Sequence, residues 1–359
     1  MRIVFAQKWP YYPNIGGGSK SQRLMIEQLV RLGHDCHVIT PGCGPGYEAP
    51  AGLTLQLVSG LDGLVPAIRE QAAAADLVVL PNDDHDWAML AAAVDTAPGR
   101  VVCLVHTVQQ LPFGARAFRA DERATDLLGR CAGIACVSRA AQEYLATEAG
   151  LASEVVYPYV YEELLDAPAS DGDTVMLVNP CAYKGIDVLL GLAARLPRVP
   201  FTGVRGWATT GDDLARLKEH DNIEIAEPDD IRKLLARARV LLMPSLWDET
   251  FGYTCVEAML HGVPVLASRL GGLVEAKLGV PYSLPVKRIE RYRDDGVAWR
   301  PGCDVPAQDL GPWCDALHAL WSDEAHHASI AGRSRIAARR FVDGLAVHDL
   351  SDYLEGVAR

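Results

Sequence analysis

The sequence predicts an α/β protein of two domains, each a parallel sheet covered by helices, on three observations. The chain has 359 residues, which is too long for one ordinary core and suits two. Short runs of valine, isoleucine and leucine alternate with helix-like stretches in both halves of the chain, as in sheets buried on both faces. The composition, 49% apolar and 22% charged, is that of a folded globular protein.

Apolar runs in the first half predict the strands of an N-terminal domain at residues 1–163. After the first run, residues 19–33 carry apolar side chains at helical spacing, and Gly33 is suited to end that helix. Because the runs are continuously apolar rather than alternating, we expect both faces of the sheet to be buried. The predicted strands are residues 2–7, 34–40, 77–81, 101–106 and 133–138.

The same alternation restarts after an acidic, proline-containing segment at residues 162–173, which we interpret as the interdomain linker. A C-terminal domain is therefore placed at residues 164–335. Residues 336–359 are assigned to a helical tail, and the pattern leaves open whether that tail packs back on the N-terminal domain. The predicted strands of the second domain are residues 174–179, 201–206, 223–226, 240–245 and 264–269.

Charge, cysteine usage and hydropathy argue against several classes of protein. The net charge of −12 is unfavourable for binding nucleic acid. The 9 cysteines include no Cys-x-x-Cys pair, so we expect no disulfide framework and no zinc site, but a reducing, cytoplasmic location. Met1 leads directly into an apolar strand, and no apolar stretch reaches the roughly 20 residues that span a bilayer. We expect neither an export signal nor a transmembrane segment, and leave peripheral membrane contact and oligomeric state open.

Three consecutive glycines, Gly16, Gly17 and Gly18, connect the first predicted strand to the first predicted helix. Glycines let the backbone approach a ligand, and the amides of a helix start attract phosphate. The segment is not a Walker loop, because Ser19 stands where a glycine must precede the lysine. It is not a dinucleotide fingerprint either, because Ser21 replaces the last glycine. The alternative is a turn that only joins strand to helix.

Two glutamates in the segment 244–267 are the strongest chemical signal. Glu249 is predicted in a loop at the carboxyl edge of the second sheet, and Glu257, eight residues later, in the first turns of the next helix. Carboxylates accept hydrogen bonds from neighbouring hydroxyls, as binding of a ribose or hexose requires. For Glu257 the alternative is a capping box with Thr254, in which the glutamate only closes the helix start.

On these residues the chain resembles the retaining glycosyltransferases of family 4. The family pattern Glu-x-Phe-Gly, with a second glutamate eight residues after the first, is met by Glu249, Phe251, Gly252 and Glu257. The resemblance implies the GT-B fold, with two facing Rossmann-like domains and an interdomain cleft. It also implies that Glu249 and the loop amides hold the donor sugar and that Glu257 holds the nucleotide ribose. The donor loop is assigned to Thr250, Phe251, Gly252 and Tyr253, and the Gly16–Gly18 loop to the donor diphosphate.

A basic pair near the start of the second domain neutralises the departing diphosphate in this family. Lys184 matches the lysine, but Asn179 replaces the arginine that usually precedes it by five residues. An asparagine amide donates hydrogen bonds but carries no charge. Arg205, at the end of the next predicted strand, is a candidate for the missing charge. The alternative for Arg205 is an ordinary surface arginine.

Candidates in the first domain follow its predicted strands. His106 ends a strand at the edge where open parallel sheets bind ligands, and the resemblance implies that it lies against the reacting sugar. Ser138 is a candidate contact for a donor phosphate and equally well placed as a helix N-cap. Asp84 and Asp86 form an Asp-x-Asp pattern, which binds a divalent metal in the other major glycosyltransferase fold. We expect no metal, because Lys184 and helix termini meet the phosphate charge.

The expected activity is transfer of a hexose-type sugar, with retention and without metal or cofactor, from a nucleotide diphosphate sugar. UDP, GDP and dTDP donors are not distinguished. The acceptor, whether small molecule, glycan or lipid-linked, is not identified. We expect the second domain to hold the donor and the first the acceptor, with front-side attack assisted by the leaving phosphate. The alternatives are a sugar-nucleotide epimerase or phosphorylase of the same fold, or a non-catalytic nucleotide-sugar binding protein.

Overall fold

The chain divides into two compact units in the computed structural model, which describes residues 1–297 and 299–359. Unit 1 comprises Met1–Val160 and Leu345–Arg359, and unit 2 comprises Tyr161–Gly344. Each unit is a parallel sheet with helices packed on it, as the apolar runs predict. The predicted domain boundary, after residue 163, lies three residues beyond Val160. The predicted tail, 336–359, is divided between the two units.

Unit 1 contains a 7-stranded sheet in the order β3-β2-β1-β4-β5-β6-β7, with all neighbours parallel. The order reverses between β1 and β4, and ligands of open α/β sheets bind at such a switch point, beyond the carboxyl ends of the strands. The strands are β1 Arg2–Ala6, β2 Asp35–Thr40, β3 Leu53–Leu57, β4 Leu77–Pro81, β5 Val101–Val105, β6 Gly133–Cys136 and β7 Glu154–Val155.

Two apolar layers cover the faces of this sheet. Val4 and Ala6 of β1 join one layer, while Ile3 and Phe5 join the other, because successive strand side chains point to opposite faces. The C-terminal helix, Asp349–Val357, adds its apolar side to the second layer. The other helices of unit 1 are α1 Gly17–Arg31, α2 Leu64–Ala72, α3 Ala88–Thr96, α4 Glu122–Gly129 and α5 Arg139–Ala149.

Unit 2 contains a 6-stranded sheet in the order β10-β9-β8-β11-β12-β13, again parallel throughout, with its reversal between β8 and β11. A short antiparallel pair, β14 and β15, follows it in the chain. The strands are β8 Thr174–Val178, β9 Phe201–Val204, β10 Ile223–Ala226, β11 Ala238–Met243, β12 Val265–Ser268, β13 Ser283–Leu284, β14 Tyr292–Arg293 and β15 Gly302–Cys303. The helices are α6 Ile186–Arg195, α7 Gly211–Lys218, α8 Ile231–Ala236, α9 Tyr253–Leu260, α10 Leu273–Ala276, α11 Gly311–Ser322 and α12 Glu324–Asp343.

The segment 162–173, which we predicted to be a linker, is instead part of unit 2. Its backbone carbonyls at Leu165 and Ala167 accept hydrogen bonds from Arg339 and Arg335 of α12, the latter at 2.8 Å. The acidic, proline-containing composition of this segment indicates exposure, but it does not reveal that a distant helix binds its backbone. No helix within the described residues is both long and apolar enough to cross a membrane.

Candidate functional site

Lys184 and Glu249 form an ion pair at the carboxyl edge of the unit 2 sheet. Lys184 lies between β8 and α6, and Glu249 lies between β11 and α9. Oε1 of Glu249 accepts a hydrogen bond from Lys184 Nζ. The same oxygen accepts from Ser245 Oγ at 2.5 Å and from Trp247 Nε1 at 3.1 Å. Within the described part of the chain, Oε2 accepts no hydrogen bond, so one carboxylate oxygen is oriented and left available.

The charge of Glu249 is maintained against its burial. Burial of the carboxyl opposes ionisation, but the charge of Lys184 and the hydrogen bonds from Lys184, Ser245 and Trp247 outweigh it. The pKa of Glu249 is therefore lowered from its ordinary value. The pair is consequently a carboxylate and an ammonium group that neutralise each other.

Gly185 allows the connection that carries Lys184 to pass close to the neighbouring loop. Its φ is +72°, in the left-handed region that favours glycine, and a Cβ there would lie 2.1 Å from the carbonyl oxygen of Pro244. No other residue type fits this position without moving the backbone. The lysine is thus positioned by close packing of two strand-end loops.

A chain of aromatic side chains, which we call the aromatic group, begins at the ring beside the lysine and comprises Tyr183, Trp207, Trp247 and Trp299. Tyr183 stacks on Trp247 with ring centroids 5.0 Å apart, and Lys184 Nζ lies 5.0 Å from the Trp247 centroid. The ring centroid of Trp207 lies 6.1 Å from that of Trp247 and 5.9 Å from that of Trp299. Sequence reasoning missed this group. Trp247 was detectable from its place beside the glutamate motif, but the others become neighbours only when the sheet edge is assembled.

Asn179 follows β8 directly in the left-handed conformation, with a φ of 62°. Its Oδ1 accepts hydrogen bonds from Ala208 N at 3.0 Å and from Thr209 Oγ1 at 3.2 Å. Its Nδ2 is buried and has no hydrogen-bond partner among residues 1–297 and 299–359. The amide therefore holds the loop after β9 with one end and presents an unfilled donor with the other.

Arg205, the predicted replacement for the missing family arginine, pairs with Glu227. Its Nη1 lies 3.0 Å from each carboxylate oxygen, and the two side chains are 45% and 71% exposed. Such exposed pairs contribute little to stability. The geometry therefore matches the surface-arginine alternative, although Arg205 directly follows β9, the strand that pairs with β8.

The capping-box alternative for Glu257 is wrong. Helix α9 begins at Tyr253, and its N-cap is Gly252 with a φ of 107°, so Thr254 lies inside the first turn and does not cap it. Glu257 is only 4% exposed. Of the predicted donor loop, Phe251 is buried and its ring stacks on Phe341 at 5.8 Å. Thr250 is buried just before it.

In unit 1 the glycine segment meets His106. Helix α1 begins at Gly17 rather than near Ser19, and Gly16 is the N-cap in an extended conformation. A Cβ on Gly18 would lie 3.5 Å from Cβ of His106. Both ring nitrogens of His106 are buried without a partner among the described residues, and burial lowers its pKa to about 4. At neutral pH the imidazole is therefore uncharged.

Ser138 is the N-cap of α5, and its hydroxyl accepts a hydrogen bond from Ala141 N at 3.1 Å. The serine is fully buried. The capping alternative for Ser138 is confirmed, whereas its contact with a donor phosphate stays a prediction.

Asp84 of the Asp-x-Asp pattern caps the start of α3. Its Oδ2 accepts hydrogen bonds from Met89 N at 2.7 Å and Leu90 N at 3.2 Å. Burial first, and then its interaction with Asp86, raises the pKa of Asp84 to about 7. The described residues include no group of three or more histidine, cysteine or acidic side chains placed to hold a metal ion.

Family models match both units. The model described as Glycosyltransferase Family 4 matches residues 15–163, and the model described as Glycosyl transferases group 1 matches residues 174–288. Among curated relatives, a D-inositol 3-phosphate glycosyltransferase of Xylanimonas cellulosilytica is 31% identical over 169 residues, which is 44% of this chain and 36% of the relative. A phosphatidyl-myo-inositol mannosyltransferase of Mycolicibacterium smegmatis is 25% identical over 365 residues, covering 92% of this chain and 88% of the relative. For the first relatives, the matched part spans 25%, 36% and 39% of the relative's own length, which is under half in each case.

Solved structures share the fold along the whole chain. HepE of Anabaena, in complex with UDP and glucose, has a TM-score of 0.68 at 19% identity and covers 99% of this chain and 100% of that one. Sucrose-phosphate synthase from Thermosynechococcus elongatus has a TM-score of 0.69 at 17% identity, with 99% and 96% covered. At these identities the similarity concerns the fold.

Proposed function

The chain belongs to glycosyltransferase family 4, with the GT-B fold, and from this premise we propose that it transfers a sugar from a nucleotide diphosphate donor to an acceptor hydroxyl. We further propose that the anomeric configuration is retained and that no metal ion takes part. The single observation that carries the proposal is the Lys184–Glu249 pair, at the switch point of the unit 2 sheet.

Glu249 is suited to hold the donor sugar. Lys184, Ser245 and Trp247 engage Oε1 and orient the carboxylate, so that Oε2 can accept hydrogen bonds from sugar hydroxyls. Because its pKa is lowered, Glu249 is ionised at neutral pH and acts as an acceptor only. Glu257, buried in α9, is proposed to accept from the ribose hydroxyls.

Lys184 acts on the leaving group. In the transfer, the bond between the anomeric carbon and the diphosphate oxygen breaks, and the acceptor oxygen bonds to that carbon on the same face. The acceptor proton passes to the departing phosphate oxygen. Negative charge develops on the diphosphate, and a preorganised cation such as Lys184 stabilises it in the transition state. The uncharged imidazole of His106, in unit 1, is suited to hydrogen bonding with neutral hydroxyls.

A thermal-shift screen of UDP, GDP, dTDP and ADP sugars tests donor binding. UDP-glucose is the first donor to try, because a neighbour of the same fold was solved with UDP and glucose. The acceptor panel includes inositol phosphates and phosphatidylinositol, because several relatives are named for them. Transfer to an acceptor supports the proposal. An isomerised sugar formed without acceptor indicates an epimerase, and tight donor binding without any turnover indicates a non-catalytic binding protein.

A further inference from the structure

Arg300 is an arginine near the unit 2 site that the sequence did not single out. Its Nη1 donates a hydrogen bond to Ala208 O at 3.3 Å, and its guanidinium lies 5.5 Å from the ring centroid of Trp299. Its Nε is buried and has no hydrogen-bond partner in the part of the chain that the structure describes. Unlike Arg205, it forms no ion pair with any described carboxylate.

Ala208 connects Arg300 to Asn179. The amide of Ala208 donates to Asn179 Oδ1 at 3.0 Å, while its carbonyl accepts from Arg300. Asn179 Nδ2 and Arg300 Nε are thus two buried donors, close to the same residue, that lack acceptors within the described chain. Buried donors without acceptors cost free energy, so their occurrence together calls for a ligand that supplies acceptor oxygens.

The aromatic group relates Arg300 to Lys184. The guanidinium of Arg300 lies over the ring of Trp299, and Trp299 contacts Trp207. Trp207 in turn contacts Trp247, whose ring lies beneath Lys184 Nζ. Tyr183, the residue before Lys184, donates its hydroxyl hydrogen bond to the carbonyl of Pro301, the residue after Arg300. The segment around Arg300 is therefore held against the edge of the sheet that carries the lysine.

The balance of charge distinguishes the two cations. The charge of Lys184 is compensated by Glu249, whereas Arg300 has no carboxylate partner among the described residues. A diphosphate brings more than one negative charge, which one already paired lysine does not neutralise. A guanidinium is the side chain best matched to phosphate oxygens, because its donors lie in one planar fork.

We propose that Arg300 binds the diphosphate of the donor, together with Asn179 Nδ2, and supplies the positive charge that Asn179 lacks. This inference rests on the proposed function and deepens it, since it assigns the phosphate-binding groups of the same site. The role belongs to a residue far from the lysine in sequence, which is why the motif around Lys184 does not contain it.

The proposal is tested by calorimetric titration of UDP, and separately of uridine, into the wild type, Arg300→Gln and Arg300→Lys. If the thermal-shift screen selects a guanosine donor, GDP and guanosine are titrated instead. If it selects a deoxythymidine donor, dTDP and deoxythymidine are used. Arg300→Gln should weaken diphosphate binding roughly 10- to 100-fold, the scale for hydrogen bonds to a charged group. It should also reduce the dependence of that affinity on salt concentration. Binding of the nucleoside, which has no phosphate, should not change.

Arg293→Gln is the matched control. Arg293 lies in β14 of the same segment, its side chain is 66% exposed, and it pairs with Asp304 at 3.4 Å. Its substitution should leave diphosphate affinity unchanged. If Arg300→Gln does not fold, Arg300→Lys decides, because it keeps the charge and loses the fork, and it should still weaken binding several-fold.

The outcomes separate the two proposals. Diphosphate affinity and salt dependence equal to the wild type in the folded Arg300 variants would overturn the role of Arg300 alone. An equal loss of nucleoside affinity would also overturn it, since the effect would then not concern the phosphates. A wild-type chain that binds none of the nucleoside diphosphates would overturn the proposed function as well.

Discussion

At the scale of single residues, the ionisation of Glu249 depends on Lys184. In the wild type the pKa of Glu249 is lowered, so the pair stabilises the fold above the ordinary pKa of about 4.5. That contribution is lost as the pH falls through the lower, folded-state pKa. Without the lysine, burial would dominate and raise the pKa of Glu249, which reverses the sign of the dependence.

Lys184→Ala should therefore lower both turnover and neutral-pH stability. We expect a roughly 100-fold loss of kcat, the scale for one transition-state charge interaction, and a loss of about 2 to 3 kcal/mol in unfolding free energy. The stability difference from wild type should start to shrink above pH 4.5, as the pH falls through the raised pKa of Glu249 in the variant, and should shrink further below it as the wild type loses its ion pair. Urea unfolding from pH 4 to pH 8 measures it.

Lys184→Ala with Glu249→Gln is the control for that prediction. It removes the buried charge, so the pH dependence of the stability difference above about pH 4.5 should disappear while turnover stays low. A constant stability difference across this pH range in the single variant would contradict the assigned coupling.

Glu257 tests ribose binding without the complication of a helix cap. Glu257→Gln should leave the melting temperature nearly unchanged and weaken donor binding by about 1 to 3 kcal/mol. The reason is that a carboxylate can accept from two hydroxyls, whereas an amide offers one acceptor and one donor group. Titration of the donor nucleotide into both proteins measures the difference, and equal affinities would leave Glu257 with a structural role only.

Restoring the family arginine at position 179 should fail. Asparagine tolerates the φ of 62° there, and its Oδ1 holds Ala208 and Thr209. Asn179→Arg loses both hydrogen bonds and places a longer side chain against Gly206, where even a Cβ would lie 2.5 Å from Asn179. We expect about 1 to 3 kcal/mol lower unfolding free energy and no gain in turnover.

Asn179→Gly is the comparison, since it keeps the backbone conformation and removes only the amide. It should be the more stable of the two variants in chemical denaturation. A stable, faster Asn179→Arg enzyme would show that the charge at this position is transferable and would argue against the role of Arg300.

At the scale of elements, the two glycine-containing connections differ in what they demand. Gly185→Ala puts a Cβ 2.1 Å from Pro244 O at a φ of +72°, so we expect a loss of about 3 kcal/mol or more. Gly18→Ala is the matched substitution in the first turn of α1. Its Cβ would lie 3.5 Å from Cβ of His106, which is an ordinary van der Waals contact. We expect the free energy of unfolding either to fall by about 0.5 kcal/mol or less, or to rise. Thermal unfolding of both variants would check the contrast, and equal effects would contradict it.

At the scale of the whole molecule, turnover should not require a divalent metal. Diphosphate charge is assigned to Lys184 and Arg300, while Asp84 is engaged in capping α3. Activity assayed with excess EDTA should equal activity without it. If EDTA abolishes turnover and manganese or magnesium restores it, the prediction is wrong, and metal binding by Asp84 and Asp86 is supported instead.

Much of the fold was predictable because burial leaves a local pattern. Residues 77–81 and 101–106 were predicted as strands since every position before His106 is apolar, and in the folded unit both faces of these strands are covered. Strand β3, Leu53–Leu57, was missed because it lies at the sheet edge, where apolar and polar side chains alternate and no continuous apolar run marks the strand.

The sequence by itself determined the class of fold, the spacing of Glu249 and Glu257, and the helix that begins after Ser138. These depend on burial and on hydrogen bonds between residues a few positions apart. Only the tertiary structure decided that Glu249 pairs with Lys184 and that Thr254 does not cap α9. It also decided that, among the described residues, Arg205 has a carboxylate partner and Arg300 has none. Those outcomes depend on the order of strands in the sheet, which brings together side chains that no local pattern connects.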